Sequence, residues 1–290
     1  MPGRNAATST RRSTTCRASA AVASIVILEH ALQRGVGLPY MMHAFAEHWR
    51  RRGHRVHIHH GIDDPPSGDL AVLHVDLTVV PQAYLALAAR YGRVLNGRVL
   101  DVSKSRFSQD LLDRYADWIG PVIVKTEANY GGKPEQLYRS IAEAAGQRAD
   151  FDAGPVAESY PVYAALREVP EPVWRTPGLV VERFLPERDG HDYCLRVWTF
   201  LGDRERSVRW RAAEPIVKAH NMTGREMVEV PDEIRAWRER LGFDFGKFDY
   251  VRYGGRWVLL DVNRTPSYPR ASVGPSPLAA LSEGIESCLR

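Results

Sequence analysis

The chain has 290 residues, of which 44% are hydrophobic and 26% are charged, the composition of a globular protein with room for two or three compact subdomains. Its 39 basic and 35 acidic residues give a formal charge of +4, and four arginines in the first twenty residues account for that excess, so composition favours no nucleic-acid surface. The apolar run AAVASIVIL is too short to span a membrane, and three widely spaced cysteines indicate neither a disulfide framework nor a cysteine-rich zinc site. We therefore expect a cytoplasmic protein without a membrane partner.

Residues 1–20 are rich in Ser, Thr, Ala and Arg without periodicity, which predicts a disordered basic tail; a transit peptide is the alternative. From residue 21 to about residue 100 the chain alternates strands with helices. VASIVILEH, HRVHIHH, DLAVLHVDL and a short GRVL predict the strands, while apolar residues at helical spacing up to Trp49 and the segment PQAYLALAARY predict the helices. This alternation predicts a small α/β domain on a parallel sheet.

The next segment predicts a helix, then a strand that ends in a lysine and a glycine loop. The helix begins near Ser105, and its apolar residues are Phe107, Leu111, Leu112 and Tyr115. PVIVKTEANYGGK then places Lys125 at a strand end, before Asn129, Gly131 and Gly132. A lysine on a buried strand needs an anion, and amides of a glycine loop can close over phosphate oxygens. A hairpin turn with a surface lysine fits the same residues, so both interpretations stay open.

The helix EQLYRSIAEAAG and a proline-rich stretch lead to the segment LVVERFLPERDG. Its first half predicts a strand whose apolar side chains and backbone suit an adenine ring. Glu182 and Glu187 are candidates for polar contacts to a nucleotide, Glu187 for the ribose hydroxyls. Solvated acids at an exposed strand end are the alternative.

A hairpin and a helix follow. DYCLRVWTFLGDRERSVRW turns at Gly202 and Asp203 and places Arg196 on an inward face with Cys194 and Trp198. The segment DEIRAWRERLG predicts a helix that Gly242 ends. Its apolar face consists of Val230, Ile234, Trp237 and Leu241.

The segment GFDFGKFDYVRYGGRWVLLDVNRTP predicts two paired strands that carry two carboxylates and an amide. Because side chains alternate along a strand, the second strand has one face made of Trp257, Leu259, Asp261 and Asn263. The first strand has a face made of Lys247, Asp249 and Val251. A two-residue turn at Gly254–Gly255 would set Asp249 opposite Leu260. A three-residue loop with a glycine bulge would set it opposite Asp261, and we predict that loop.

Two carboxylates and an amide are hard oxygen ligands that suit Mg²⁺, which binds few protein groups and completes its shell with water and substrate phosphates. The alternative is that Asp249 and Asp261 are ordinary strand-end carboxylates, paired with Lys247 or Arg264. Two aspartates embedded in the apolar runs FDYV and VLLDVN are costly to bury without a cation, so the pair together favours the metal site.

In chain order, a lysine-ending strand, a glycine loop, an acidic strand and loop, an arginine hairpin and an Asp…Asp-x-Asn hairpin resemble the ATP-grasp superfamily. The resemblance covers roughly residues 97–268, and its most specific part is KFDYV…WVLLDVNRTP. It implies an α/β protein with a pre-ATP-grasp parallel-sheet domain over residues 21–100 and an ATP-grasp domain over residues 101–290. The larger domain would consist of a central lid subdomain, about 105–178, and a C-terminal subdomain, about 179–290.

The resemblance also implies which residues bind the nucleotide phosphates. Lys104 in LDVSKS and Lys125 are similar to the family's two phosphate-binding lysines. The segment from Asn129 to Gly132, with Gly131, is similar to the loop above the phosphates. Lys218 and Asn221 in VKAHN match a less specific family position near the phosphates.

The remaining implied roles concern adenine, the transferred phosphoryl group and the metal. Val181 to Phe184 is similar to the adenine hinge, with Glu182 or Glu187 near adenine and ribose. Arg196 resembles the basic residue that steadies the phosphoryl group, and with Lys125 it is the implied catalytic pair. The implied Mg²⁺ ligands are Asp249, Asp261 and Asn263. The second metal ligand is commonly Glu in the family, and RTPSYP replaces the usual glycine-rich segment after the Asn.

These residues imply an ATP- and Mg²⁺-dependent ligase, with Mn²⁺ as a substitute metal, that activates a carboxylate as an acyl phosphate and joins it to an amine or thiol. Its partners would be small-molecule or peptide carboxylates and amines, with no nucleic acid and no membrane, and a homodimer stays open. Two alternatives remain: a nucleotide-binding regulatory module without turnover, and a kinase that acts on a hydroxyl acceptor.

Overall fold

The computed structural model describes residues 22–268 and 277–290. The predicted basic tail, residues 1–20, lies outside the described residues. The described chain folds into three sheets, one parallel and two antiparallel, with helices between and around them. This mixture confirms the predicted α/β class with a small parallel sheet at its start.

The first sheet has four parallel strands in the order β2-β1-β3-β4. They are β1 (Ser24–Glu29), β2 (Arg55–His60), β3 (Leu70–Leu73) and β4 (Val94–Leu95). The second sheet is antiparallel, in the order β5-β8-β6-β7. Its strands are β5 (Leu111–Leu112), β6 (Val122–Thr126), β7 (Val162–Tyr163) and β8 (Leu179–Arg183).

The third sheet is antiparallel, in the order β12-β11-β10-β13-β14, with β9 paired to β10. Its strands are β9 (Glu187–Asp189), β10 (Asp192–Leu201), β11 (Arg204–Ala212), β12 (Gly224–Met227), β13 (Phe245–Tyr253) and β14 (Arg256–Asn263). The α-helices are α1 (Met41–Arg51), α2 (Gln82–Ala88), α3 (Lys104–Phe107), α4 (Lys133–Ala144), α5 (Glu171–Arg175), α6 (Asp232–Leu241), α7 (Leu278–Ser282) and α8 (Ile285–Leu289). Three short 3₁₀ helices are Ala31–Gln33, Asn129–Gly132 and Leu166–Glu168.

The first sheet is covered on both faces, as its parallel strands require. Ile25 and Ile27 of β1 pack into one core cluster with α1, α7 and α8, while Val26 and Leu28 pack into another with α2. Tyr138 of α4 joins that second cluster, so a helix from the middle of the chain is part of the first sheet's core.

The helix predicted from Ser105 is wrong. The structure has only the four-residue helix α3 there, and Leu111–Leu112 forms strand β5 against Glu182 and Val181. Tyr115 is 88% exposed. The apolar spacing in this segment therefore comes from a short strand and a loop, which periodicity alone does not separate from a helix.

The last hairpin has a two-residue turn, so the predicted three-residue loop is wrong. Tyr253 pairs with Arg256, and Gly254 and Gly255 between them have φ values of 56° and 86°. These positive φ values suit the tight turn that joins twisted strands.

Asp249 nevertheless lies opposite Asp261, as predicted, because the ladder contains a bulge. Tyr250 pairs with Leu259 and Asp249 pairs with Asp261, which leaves Leu260 as the extra residue. The bulge also corrects the predicted faces. Leu259 packs into the core cluster on one side of the sheet, whereas Asp261 faces the pocket on the other.

Within residues 22–268 and 277–290, no helix is long and apolar enough to cross a membrane.

Candidate functional site

The second and third sheets enclose a pocket in which five predicted charged residues meet. Lys104, Lys125 and Lys218 line it together with Asp249 and Asp261. Much of the remaining wall is apolar, and it includes Ile123, Phe184, Leu185, Ile216, Val217 and Leu260. A pocket with a broad apolar wall and a cluster of charges is the usual form of a small-molecule site.

The two carboxylates each contact a lysine. Lys104 Nζ lies 2.7 Å from Asp261 Oδ1, and Lys247 Nζ lies 3.0 Å from Asp249 Oδ2. The second oxygen of Asp249 is buried and has no hydrogen-bond partner. The alternative pairing of Asp249 with Lys247 is therefore present. Arg264, the other partner considered, instead donates to backbone carbonyls.

Burial and charge shift the two carboxyl groups in opposite directions. Burial raises the pKa of Asp249, and the Lys247 ammonium offsets this only in part. Burial also acts to raise the pKa of Asp261, but Lys104 and Lys247 outweigh it and hold that pKa below its usual value. Burial acts to lower the pKa of Lys104, but Asp261 outweighs it and raises that pKa. Lys104 and Lys247 thus supply, beside the two carboxylates, the positive charge that a bound metal cation would otherwise supply.

The donor set fits Mg²⁺. Asp249 and Asp261 are direct cross-strand partners. The buried Asp249 Oδ1 has no hydrogen-bond partner, so this hard oxygen ligand is available to a cation. Asn263 is not among the residues that line the pocket, and its Oδ1 accepts hydrogen bonds from the Thr265 amide at 2.8 Å and from the Thr265 hydroxyl at 3.4 Å. Among the described residues no group of three or more His, Cys, Asp or Glu side chains is arranged to hold a metal. A metal here would therefore depend on water and phosphate oxygens to complete its shell.

Lys125 lies near the end of β6 and already has an anion. Its ammonium lies 2.6 Å from Glu182 Oε2, and Glu182 is 3% exposed. The buried ammonium thus has the partner that burial requires. Glu182 binds the lysine and is not among the residues that line the pocket. Phe184, two residues later, does line it.

The loop Asn129–Gly132 lies outside the pocket lining. Gly131 and Gly132 have φ values of 71° and 72°, and a Cβ on them would lie 2.6 Å from the carbonyl oxygens of Ala157 and Pro155. The Asn129 amide donates to Thr78 Oγ1 at 2.8 Å. The positive φ values and the close carbonyl oxygens explain why the loop needs glycine at these two positions. The role of the loop above the nucleotide phosphates stays a prediction.

Arg196 and Glu187 bind each other away from the pocket. Arg196 Nε and a terminal guanidinium nitrogen donate to the two Glu187 oxygens at 3.0 and 2.9 Å. Glu187, 5% exposed, also lies 3.1 Å from Arg209 Nε and accepts from the Arg252 amide at 2.8 Å. Arg196 pairs with Tyr250 in the ladder, one register position from Asp249, and so lies on the opposite face of the sheet. On the face that carries Arg196, Trp198 packs into a core cluster, and neither Arg196 nor Glu187 is among the residues that line the pocket.

Asn221 shapes the loop that carries Lys218. Its Oδ1 accepts from the Lys218 amide at 2.8 Å, and its Nδ2 donates to Glu214 at 2.7 Å and to the Ile216 carbonyl at 3.0 Å. Asn221 itself is not among the lining residues, so it positions Lys218 and Ile216.

Sequence reasoning missed three parts of the pocket. Tyr160 lies in a proline-rich stretch without periodicity, so no pattern indicated it. Ile216 and Val217 precede Lys218 in EPIVK, and this short apolar run next to a candidate lysine was a usable signal. Cys194 lines the pocket too, although its parity along β10 predicted only a core position.

No family model matches this chain, and no curated protein matches its sequence. Solved structures do match it, among them D-cycloserine synthetase DcsG, with a TM-score of 0.49 and 13% identity over 92% of this chain and 100% of that one. A RimK domain ATP-grasp protein from Sphaerobacter thermophilus matches with a TM-score of 0.49 and 14% identity, over 92% and 97% of the two chains. The chain is similar in fold to ATP-grasp proteins. D-alanine–D-alanine ligase from Bacillus anthracis, solved with ATP, matches with a TM-score of 0.47 and 13% identity, over 93% and 94%.

Proposed function

We propose that this chain is an ATP- and Mg²⁺-dependent ligase that activates a carboxylate as an acyl phosphate and joins it to an amine or thiol. The observation that supports this most is the pocket between the second and third sheets. It brings three lysines and a cross-strand pair of aspartates beside an apolar wall, and these residues come from the start of α3, from strands β6, β13 and β14, and from the loop that carries Lys218. A nucleotide needs this combination, because its base is apolar and planar and its phosphates are anionic.

The residues divide by chemistry. Phe184, Leu185 and Ile216 offer the apolar surface for the base. Lys104 and Lys125 offer positive charge for the phosphates, once these replace Asp261 and Glu182 as their partners. Mg²⁺ held by Asp249, Asp261 and Asn263 would supply further positive charge at the phosphate oxygens.

The reaction balances without a nucleophile from the protein. A carboxylate oxygen attacks the γ-phosphorus and the bond to ADP breaks, which gives an acyl phosphate. The amine nitrogen then attacks the acyl carbon, phosphate leaves, and the nitrogen loses its proton. The contribution of Lys104, Lys125 and Lys218 is to orient the phosphates and to offset the charge that develops on them. Small-molecule or peptide substrates, a cytoplasmic location and a homodimer are further parts of the proposal.

The first test is thermal unfolding with and without ATP and Mg²⁺. A ligand at about a hundred times its dissociation constant stabilises a fold by about 2.7 kcal/mol, so the unfolding midpoint should rise when both are present. Asp249→Asn and Asp261→Asn should remove the Mg²⁺-dependent part of the rise. Glu239→Gln, an exposed carboxylate on α6, is the matched control and should keep it. A rise that is the same without Mg²⁺ and in both aspartate variants would contradict the metal assignment.

The second test identifies the reaction. ADP release that requires both a carboxylic acid and an amine supports the ligase, and release with a hydroxyl acceptor alone supports the kinase. With a carboxylate labelled by ¹⁸O, the acyl phosphate route transfers one labelled oxygen to the released phosphate. ATP binding without ADP release for any acceptor would instead favour the regulatory module.

A further inference from the structure

A second cavity, of about 470 Å³, lies beside the end of the first sheet, the first turn of α4 and the segment 150–155. Its volume is in the range of small-molecule sites. Part of its wall is apolar, formed by Leu77, Val79, Pro81, Phe151 and Pro155. Its charged lining residues are all acids: Glu127, Glu135, Asp150 and Asp152. The described lining therefore carries no lysine or arginine.

Glu135 is the buried acid of this cavity and is only 4% exposed. Its Oε1 accepts hydrogen bonds from the Thr78 amide at 2.6 Å and from Thr78 Oγ1 at 2.7 Å. Its Oε2 is buried and has no hydrogen-bond partner. A buried carboxylate oxygen without a donor is costly, so it indicates a group that donates to it from the cavity.

The neighbouring cations are engaged elsewhere. The buried Arg264 donates to the backbone carbonyls of Val75, Val99 and Thr78, at 3.1, 2.6 and 3.1 Å. Arg139 donates to the Ala153 carbonyl at 2.6 Å and lies 3.9 Å from Asp152, whose side chain is fully exposed. The ion pairs found among the described residues include none that Glu135 makes.

We propose that this cavity binds an organic cation, an ammonium group on an apolar body, with the ammonium donating to Glu135. The apolar wall favours an organic ligand over a metal ion. The arrangement of the acids supports the same choice, since the described residues hold no group of three or more His, Cys, Asp or Glu side chains arranged for a metal. The proposal goes beyond the ligase function, because it requires no nucleotide.

The cation site adjoins the candidate nucleotide pocket. Ser103 lines the cavity while Lys104, the next residue, lines the pocket. Glu127 and Ala128 line the cavity shortly after Lys125 of the pocket. Neighbouring residues of the same two segments thus line the two sites, so an ammonium ligand would lie next to Lys104 and Lys125.

The test is titration calorimetry on the full chain without ATP, so that it does not depend on the nucleotide site. The probes are propylammonium, hexylammonium and phenethylammonium. The controls are 2-phenylethanol, which lacks the charge, 3-phenylpropionate, which reverses it, and MgCl₂. We expect at least one ammonium to bind, and its neutral or anionic analogue to bind at least tenfold more weakly.

Glu135→Gln should weaken ammonium binding at least tenfold. The glutamine carbonyl still accepts from Thr78, so the fold is kept while the charge is removed. Glu143→Gln, an exposed acid on the same helix outside the cavity, is the control and should bind like the parent. Should Glu135→Gln fail to fold, the double variant Asp150→Asn, Asp152→Asn at the exposed rim should weaken binding about threefold. Absence of binding by all three ammonium ions, equal binding of 2-phenylethanol, or unchanged binding in the folded variants would overturn the proposal.

Discussion

Asp249 and Asp261 face each other across β13 and β14 because Leu260 is bulged out of the ladder between them. A regular ladder from the observed Gly254–Gly255 turn would have set Asp249 opposite Leu260 and turned Asp261 to the other face. The bulge therefore creates the carboxylate pair, and it sits beside the pocket that the pair lines. Bulges next to functional sites commonly redirect a side chain in this way.

Lys104 competes with metal for Asp261, so Lys104→Met should change metal and nucleotide affinity in opposite directions. Its ammonium lies 2.7 Å from Asp261 and its side chain is 6% exposed, so removing the ammonium frees a partly buried carboxylate. Without nucleotide, Mn²⁺ should bind Lys104→Met more tightly than the parent, by several-fold, because the carboxylate no longer has a lysine partner. With Mg²⁺ present, ATP affinity should fall at least tenfold, because a phosphate partner is lost.

Electron paramagnetic resonance of free Mn²⁺ measures the first change, and fluorescence titration measures the second. Lys133→Met, which removes an exposed lysine outside the pocket lining, should leave Mn²⁺ binding as in the parent. A weaker Mn²⁺ affinity in Lys104→Met would show that the lysine does not compete for this site.

Arg196 and Glu187 should contribute to stability through their mutual contact. Both are largely buried and joined by two hydrogen bonds, and the Arg196 guanidinium also stacks 4.9 Å from the centre of the Trp257 ring. Arg196→Lys loses the paired geometry, and Glu187→Gln loses the charge, so each should reduce the free energy of unfolding by about 2–4 kcal/mol. The double variant should lose clearly less than the sum of the two.

Urea unfolding of the four proteins measures this coupling, and ATP titration of the folded variants tests the catalytic prediction for Arg196. Retained ATP affinity and turnover in Arg196→Lys would assign the residue to structure. A loss of turnover with normal stability would instead support the role that the family resemblance implies.

The sequence predicted most secondary-structure elements and their order along the chain, but it often did not predict which residues contact each other. The alternating strands and helices of the first sheet, the β10–β11 hairpin and the cap at Gly242 follow from local pattern and were correct. The bulge at Leu260 has no local signature, because VLLDV alternates equally well in either register. Alternation set Arg196 on one face with Cys194 and Trp198, but it tells which residues share a face and not which of them meet a ligand, and Arg196 is not among the residues that line the pocket.

The glycine loop permits a test that separates backbone strain from steric contact. Gly131, Gly132 and Gly146 all have φ values near 70°, but only the first two have a carbonyl oxygen within 2.6 Å of an added Cβ. Alanine at Gly146 should cost about 1 kcal/mol for the left-handed backbone alone. Alanine at Gly131 or Gly132 should cost about 2–4 kcal/mol, because the neighbouring segment 155–157 must also move. Urea unfolding of the three single variants measures the difference, and equal costs would show that the close approach is relieved without strain.

Glu29 should make stability depend on pH. It ends β1, has no exposed side-chain surface, and its oxygens lie 2.5 Å from His43 Nε2, 3.1 Å from His74 Nδ1 and 3.2 Å from His60 Nε2. Burial acts to raise the pKa of Glu29, but the hydrogen bonds from His43 and His74 outweigh it and lower the pKa from 4.5 to about 2. Ionised Glu29 is therefore favoured by the folded state.

A lowered carboxyl pKa stabilises the fold above the unfolded-state value and loses that effect as pH falls through the folded-state value. The contribution of Glu29 should thus be complete near pH 7, decline below about pH 4.5 and disappear near pH 2, and a shift of this size corresponds to about 3 kcal/mol. Glu29→Gln should be less stable than the parent by about that amount at pH 7, and the gap should narrow at pH 3. Glu47→Gln, an exposed carboxylate on α1, should show no such gap. Urea unfolding at pH 7, 5 and 3 measures both, and a gap for Glu29→Gln that stays constant down to pH 3 would mean that the histidines do not hold Glu29 in its charged form.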